Sequence, residues 1–230
     1  RASLGVSIGI ALIPQNGTEA MNLIRSADVA MYKAKETRNT YVFFTDEINR
    51  QANQRIDLEA GIRDAIEKHS FELHYQPVVD AAGVAKGAEA LLRWRDPQRG
   101  YIPPGLFIPI AEESGLILTI GDWVLKTACR QLAAWNAAGF PDFYVSVNLS
   151  VKQFNQPDLV ERLTESVRQS GVRPENLRIE ITESSLMKDP EEARRKMEEV
   201  KKANPGIRIA IDDFGAGYSS LSYLSELPVD

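Results

Sequence analysis

Tyr144-Val145-Ser146-Val147-Asn148-Leu149, Leu177-Arg178-Ile179-Glu180-Ile181-Thr182 and Ile207-Arg208-Ile209-Ala210-Ile211-Asp212 are three runs in which apolar residues alternate with polar or small ones. Strict alternation marks a strand with one buried face. Near the end of each run stands an oxygen-bearing residue, Asn148, Glu180 or Asp212, on the face opposite the branched aliphatics. The step from one to the next is 32 residues both times. That is close to the ~31 residues per unit expected when about 250 residues build an eight-unit (β/α) barrel.

Working outward, residues 158–169 and 190–202 read as the helices between these strands. Residues 107–113 and 121–138 read as helices before the first of them, and about 219–225 as a helix after the last. Strands and helices in alternation give a parallel α/β sheet. Upstream, 71–79 and 84–94 are strand-like and joined only by Asp80-Ala81-Ala82-Gly83. So short a link permits an antiparallel hairpin and excludes a parallel crossover. Glu89, toward the end of 84–94, joins the ring of strand-end oxygens. Trp94, Trp123 and Trp135 read as core.

Residues 46–68 form an amphipathic connecting helix, with Ile48, Ala52, Ile56, Leu58, Ile62 and Ile66 within one arc. Before it come a strand (4–12), a turn at Pro14-Gln15-Asn16-Gly17, a helix (about 18–36) and a short strand (41–44). This is too little to fold alone, and it reads as the tail of a domain. Both ends look cut, with about three barrel units, or roughly 95 residues, expected beyond Asp230. Residues 1–230 alone are therefore expected to self-associate and to be inactive.

The chain has 230 residues with 27 Lys+Arg against 32 Asp+Glu, a formal charge of −5. Mild acidity excludes a coat for polyanions, which needs a basic surface; a small phosphate ligand held by a metal stays open. Hydrophobic content of 43% and charged content of 26% exclude disordered and collagen-like classes. The lone cysteine, Cys129, sits in an apolar helical pattern and reads as a buried thiol. No apolar run is long enough to span a bilayer.

Glu89, Asn148, Glu180, Asp212 and Asp213 supply oxygen donors, with no cysteine and neither histidine at a strand end. Such hard ligands suit Mg²⁺ or Mn²⁺ rather than zinc. Carboxylates crowded at one mouth repel one another unless cations neutralise them. Two metals sharing Asp212 and Asp213 would suit an in-line phosphoryl displacement. Solvated strand-end carboxylates would explain any one of these residues but not their common period. Arg93, four residues after Glu89 on the same face, could pair with a phosphate or be an ordinary surface arginine. His69 and His74 have no partner at ligand spacing.

Tyr75-Gln76-Pro77, Glu89-Ala90-Leu91-Leu92-Arg93-Trp94, Phe107-Ile108-Pro109-Ile110-Ala111-Glu112, Ser146-Val147-Asn148-Leu149-Ser150, Glu180-Ile181-Thr182-Glu183-Ser184 and Asp212-Asp213-Phe214-Gly215-Ala216-Gly217-Tyr218-Ser219-Ser220 resemble, in order, the motifs of the EAL family of cyclic di-GMP phosphodiesterases. The resemblance implies an incomplete modified TIM barrel with an antiparallel first strand over residues 70–230, which agrees with the inferred hairpin. It implies Glu89, Asn148, Glu180, Asp212 and Asp213 as metal ligands for Mg²⁺ or Mn²⁺, with Glu89, Asp212 and Asp213 catalytic. It also implies Gln76 and Arg93 as substrate contacts and Glu183 as the anchor of the loop after Asp213. Ser7-Ile8-Gly9-Ile10-Ala11 and Ala27-Asp28-Val29-Ala30-Met31-Tyr32-Lys33-Ala34-Lys35 resemble the end of a GGDEF (diguanylate cyclase) domain. That assigns residues 1–45 to its remnant and 46–69 to a linker helix. Here Lys35-Glu36-Thr37-Arg38-Asn39 lacks the glycine that the GGDEF family usually carries before Arg-Asn.

The expected parent is a bacterial GGDEF–EAL enzyme that hydrolyses cyclic di-GMP to pGpG as a homodimer in the cytoplasm. Any inner-membrane anchor would lie upstream of this chain, and no nucleic-acid polymer is a partner. The competing expectation is a non-catalytic cyclic di-GMP receptor.

Overall fold

The computed structural model describes residues 4–186, 189–212 and 227–230. They fall into two compact units, Arg1–Gly61 and Ile62–Asp230. In the first, β1 (Ile8–Ile10) and β2 (Tyr41–Phe43) pair in parallel through helix α1 (Ala20–Thr37). Ala30 and Ala34 are buried on α1, and the helix lies so close to β1 that a Cβ at Gly9 would fall 2.0 Å from the Ala27 carbonyl. The expected strand 4–12 shrinks to three residues. β2 offers only three partners, and the Leu12 N–H is taken by Asn16 Oδ1 at 2.7 Å. Where the glycine is lacking, Arg38 and Asn39 take φ of 59° and 46°, backbone that glycine adopts without steric cost. Helix α2 (Asp46–Glu67) follows.

In the second unit, β3 (Phe71–Val79) and β4 (Ala85–Asp96) form the antiparallel hairpin, with Gln76 opposite Glu89. The Asp80 carboxylate closes its turn by accepting the N–H groups of Ala82 and Val84 at 2.9 and 3.0 Å. β5 (Gly100–Ile102) folds back on the end of β4. Then come α3 (Pro104–Ser114), α4 (Ile117–Ala137), β6 (Tyr144–Leu149), α5 (Val151–Phe154), α6 (Leu159–Ser170), β7 (Leu177–Thr182), α7 (Glu183–Leu186), α8 (Pro190–Ala203) and β8 (Arg208–Asp212). The sheet runs β3-β4-β6-β7-β8, with β5 on β4 and parallel pairing from β4 onward. Among the described residues it is open, as expected of an α/β barrel that has not closed. The helix expected near 219–225 lies outside the described residues.

The alternation read from sequence holds. Val145, Val147, Leu149, Leu177, Ile179, Ile181, Ile207 and Ile209 are buried on the face where α4, α6 and α8 lie side by side. On the hairpin the same face carries Phe71 and Trp94, whose rings stand 6.1 Å apart and meet Phe107 of α3 at 5.9 and 5.5 Å. Trp135 packs edge-on against Tyr75 at 4.8 Å, and Cys129 is buried in α4. Two buried asparagines fix the loops that feed β7 and β8. Asn176 Nδ2 donates to Asn136 Oδ1 (3.0 Å) and the Pro141 carbonyl (2.7 Å), and Asn204 Nδ2 to Thr164 Oγ1 (3.0 Å).

Helix α3 begins earlier than its periodicity suggests because Pro104 suits a first helical turn. It ends at Gly115, whose φ of 80° suits glycine. Helix α5 is one turn held by a capping box. Ser150 Oγ accepts from the Gln153 N–H (3.3 Å), and Gln153 Oε1 accepts from Ser150 N (3.2 Å) and Oγ (2.9 Å). α4 crosses so near that a Cβ at Gly121 would stand 1.9 Å from Gln153 Nε2.

Candidate active site

The face of the sheet away from the helices carries the polar side chains. At its floor Gly87, Tyr144 and Arg178 sit on neighbouring strands. The Arg178 guanidinium lies 4.3 Å from the Tyr144 ring centroid, and the ring fills the space that a side chain at 87 would need. Above the floor, toward the carboxyl ends of the parallel strands, come Ser146 and Glu89, then Asn148 and Glu180, which are register partners, then Asp212 opposite Thr182.

Asn148 Nδ2 donates to Glu89 Oε1 at 2.7 Å, joining residues 59 apart in sequence. The Glu180 carboxyl is pushed above its ordinary range, first by burial and then by the negative charges of Glu89 and Asp212; Ser146 and Arg178 pull the other way. Ser146 Oγ is near enough to exert that pull, yet it is buried without a full hydrogen bond among the described residues. The structure thus brings Glu89, Asn148, Glu180 and Asp212 onto one face and within electrostatic reach. Among the described residues no three Asp, Glu, His or Cys side chains close on one point as a cage. Asp213 and the loop 214–220 lie outside the described residues.

Gln76 is exposed directly opposite Glu89, and Arg93 is half-buried on the same face. The only hydrogen bond of the Arg93 guanidinium among the described residues runs from Nη1 to the Leu92 carbonyl at 2.9 Å. Glu183 is buried at the first turn of α7; the loop it is expected to anchor lies outside the described residues. Glu112, on α3, has its carboxyl pushed up by burial, against the nearby charge of Lys152. Sequence reasoning missed a further group. Glu72 Oε1 lies 3.0 Å from His74 Nε2 and accepts the Tyr101 hydroxyl. Glu72 and His74 alternate on one strand face, a readable signal, whereas Tyr101 arrives from β5, a strand too short for periodicity to announce.

A family model described as the EAL domain matches residues 59–230. The chain belongs to the EAL family. This EAL chain is 44% identical over 227 residues to the bifunctional diguanylate cyclase/cyclic di-GMP phosphodiesterase MucR of Pseudomonas aeruginosa, a match covering 98% of the chain and 33% of MucR. It is 38% identical over 225 residues to the cyclic di-GMP phosphodiesterase PdeR of Escherichia coli, covering 97% of the chain and 34% of PdeR. The EAL chain thus spans about a third of the length of these relatives. The solved PaMucR phosphodiesterase in complex with c-di-GMP superimposes with a TM-score of 0.72 at 43% identity, covering 76% of this chain and 70% of that one. Among the described residues of the EAL chain, no helix is long and apolar enough to cross a membrane.

Proposed function

We propose that the protein containing this chain hydrolyses cyclic di-GMP to linear pGpG with the help of Mg²⁺ or Mn²⁺. The observation that carries the reading is the gathering of Glu89, Asn148, Glu180 and Asp212 on one face of neighbouring strands, where burial first, and then the negative charges of Glu89 and Asp212, push the Glu180 carboxyl up. A cation relieves that repulsion, and an all-oxygen donor set fits a hard divalent ion. Glu89, Asn148, Glu180, Asp212 and Asp213 would hold it, as a two-metal site sharing the adjacent aspartates.

When bound, the metal supplies a nucleophile at neutral pH and neutralises charge on the phosphoryl oxygens. The chain's own residues do the rest. Arg93 binds a non-bridging oxygen of the diester, Gln76 holds the substrate beside Glu89, and the Asn148 amide orients the Glu89 carboxylate. Attack of water on phosphorus breaks one P–O3′ bond and leaves a 5′-phosphate and a free 3′-hydroxyl. Glu183 anchors the loop that follows Asp213.

In the same reading residues 1–45 are the end of a GGDEF domain, 46–69 a linker helix and 70–230 part of the EAL domain. The naming of MucR as bifunctional, over an alignment that takes in nearly all of this chain, supports the first assignment. The protein acts in the cytoplasm, as a homodimer. The test is release of pGpG from cyclic di-GMP by the full protein in Mn²⁺, followed chromatographically, with a known phosphodiesterase alongside. No pGpG under conditions where the control turns over rejects the proposal; tight binding without turnover favours a receptor.

A further inference from the structure

Glu72 and Arg93 are directly opposite in the antiparallel register of β3 and β4 and share the polar face. Opposite charges in that relation ordinarily pair, since their Cβ atoms stand about 5 Å apart. Here they do not. Among the described residues Arg93 makes no ion pair, while Glu72 Oε1 receives the Tyr101 hydroxyl and lies 3.0 Å from His74 Nε2. Tyr101 belongs to β5, where its register partner is Arg95, so its side chain reaches across β4 to Glu72 on the far strand. The ring meets the His74 imidazole edge-on at 5.8 Å.

The Tyr101–Glu72 bond favours the charged carboxylate, and the Arg95 cation adds a smaller pull in the same direction. Glu72 is kept below the usual carboxylate range, chiefly by the Tyr101 hydroxyl and then by His74, and Tyr101 is raised by the same bond.

We propose that Tyr101 is a positioning residue: it ties Glu72 to itself and so keeps the Arg93 guanidinium open for the phosphodiester. The inference rests on the substrate class proposed above. A released Glu72 carboxylate would compete with the phosphate for the same donors, because a guanidinium binds both in the same bidentate manner.

The test is a cycle in the full protein. Tyr101→Phe keeps the ring against His74 and removes only the hydroxyl of an exposed side chain. It should raise KM for cyclic di-GMP, and its Kd by calorimetry, about tenfold, with kcat changing less. Adding Glu72→Gln should bring KM and Kd back, because no competing charge remains. Wild type that binds substrate, with Tyr101→Phe indistinguishable from it or not rescued by Glu72→Gln, overturns this inference and leaves the proposed function standing. Wild type that neither binds nor hydrolyses cyclic di-GMP removes both.

Discussion

The two faces of the β6-β7-β8 sheet are made by the same strands and do opposite work. Toward the helices Leu177, Ile179 and Ile181 are at most 1% exposed. One residue along, Arg178 and Glu180 are half-buried, and Asn148 and Asp212 are exposed. A strand alternates with period two, so a register slip of one residue would exchange the faces wholesale. Stability is therefore concentrated on one side and chemistry on the other. The aliphatic face fixes where the polar oxygens stand, and the polar face contributes less to holding the sheet together.

Substitution on either face sharpens or breaks this division. The largest effect is expected from Glu89→Ala, which should lower turnover of the full protein by at least about 10²–10³-fold while leaving the unfolding midpoint nearly in place. A midpoint that drops steeply would show that the polar face also carries the fold. Next, Ile179→Ala should destabilise by about 2–5 kcal/mol in denaturant titration, with kcat/KM of the remaining folded protein little changed. Smaller again is Arg178→Met, which loses the stacking on Tyr144 and should cost about 1 kcal/mol; a larger loss would make the floor of the polar face a second core.

The smallest effect concerns Cys129, whose thiol is pushed up to about 12 by burial. An unfolded thiol titrates near ~8.5. Between those values the folded state keeps a proton that the unfolded state releases, so stability falls as pH rises through this window. At pH 9 the loss should be under about 1 kcal/mol and absent in Cys129→Ala. Equal pH slopes for the two proteins would contradict a thiol sealed in the aliphatic layer.

Much of the fold was legible because alternation and spacing are local properties. Val145 through Leu149, Leu177 through Thr182 and Ile207 through Asp212 announce both their faces, and the four-residue link after Val79 allows only a hairpin. What was missed was short. β5 has three residues, though Asp96 Oδ1 accepting from the Gln98 and Arg99 N–H groups at 2.9 and 2.7 Å marks a turn that its Asp-Pro-Gln-Arg sequence suggests. α5 and α7 have four residues each, less than the period needs, yet Ser150 and Gln153 at capping-box spacing signal the first. The candidate site was legible as a list of face positions. The Asn148–Glu89 bond and the Tyr101–Glu72 bond were not, because they join residues that only the register brings together.

The narrow crossing of α4 over α5 reaches into how this sequence can drift. A methyl at 121 needs the space held by Gln153 Nε2, and Gln153 cannot swing aside freely because its Oε1 is bonded twice to Ser150. A methyl at 121 therefore costs the α5 cap, whether the Gln153 amide is displaced or a shorter side chain stands at 153. Descendants of this chain should record that coupling: a side chain at 121 should occur together with loss of the Ser150–Gln153 cap.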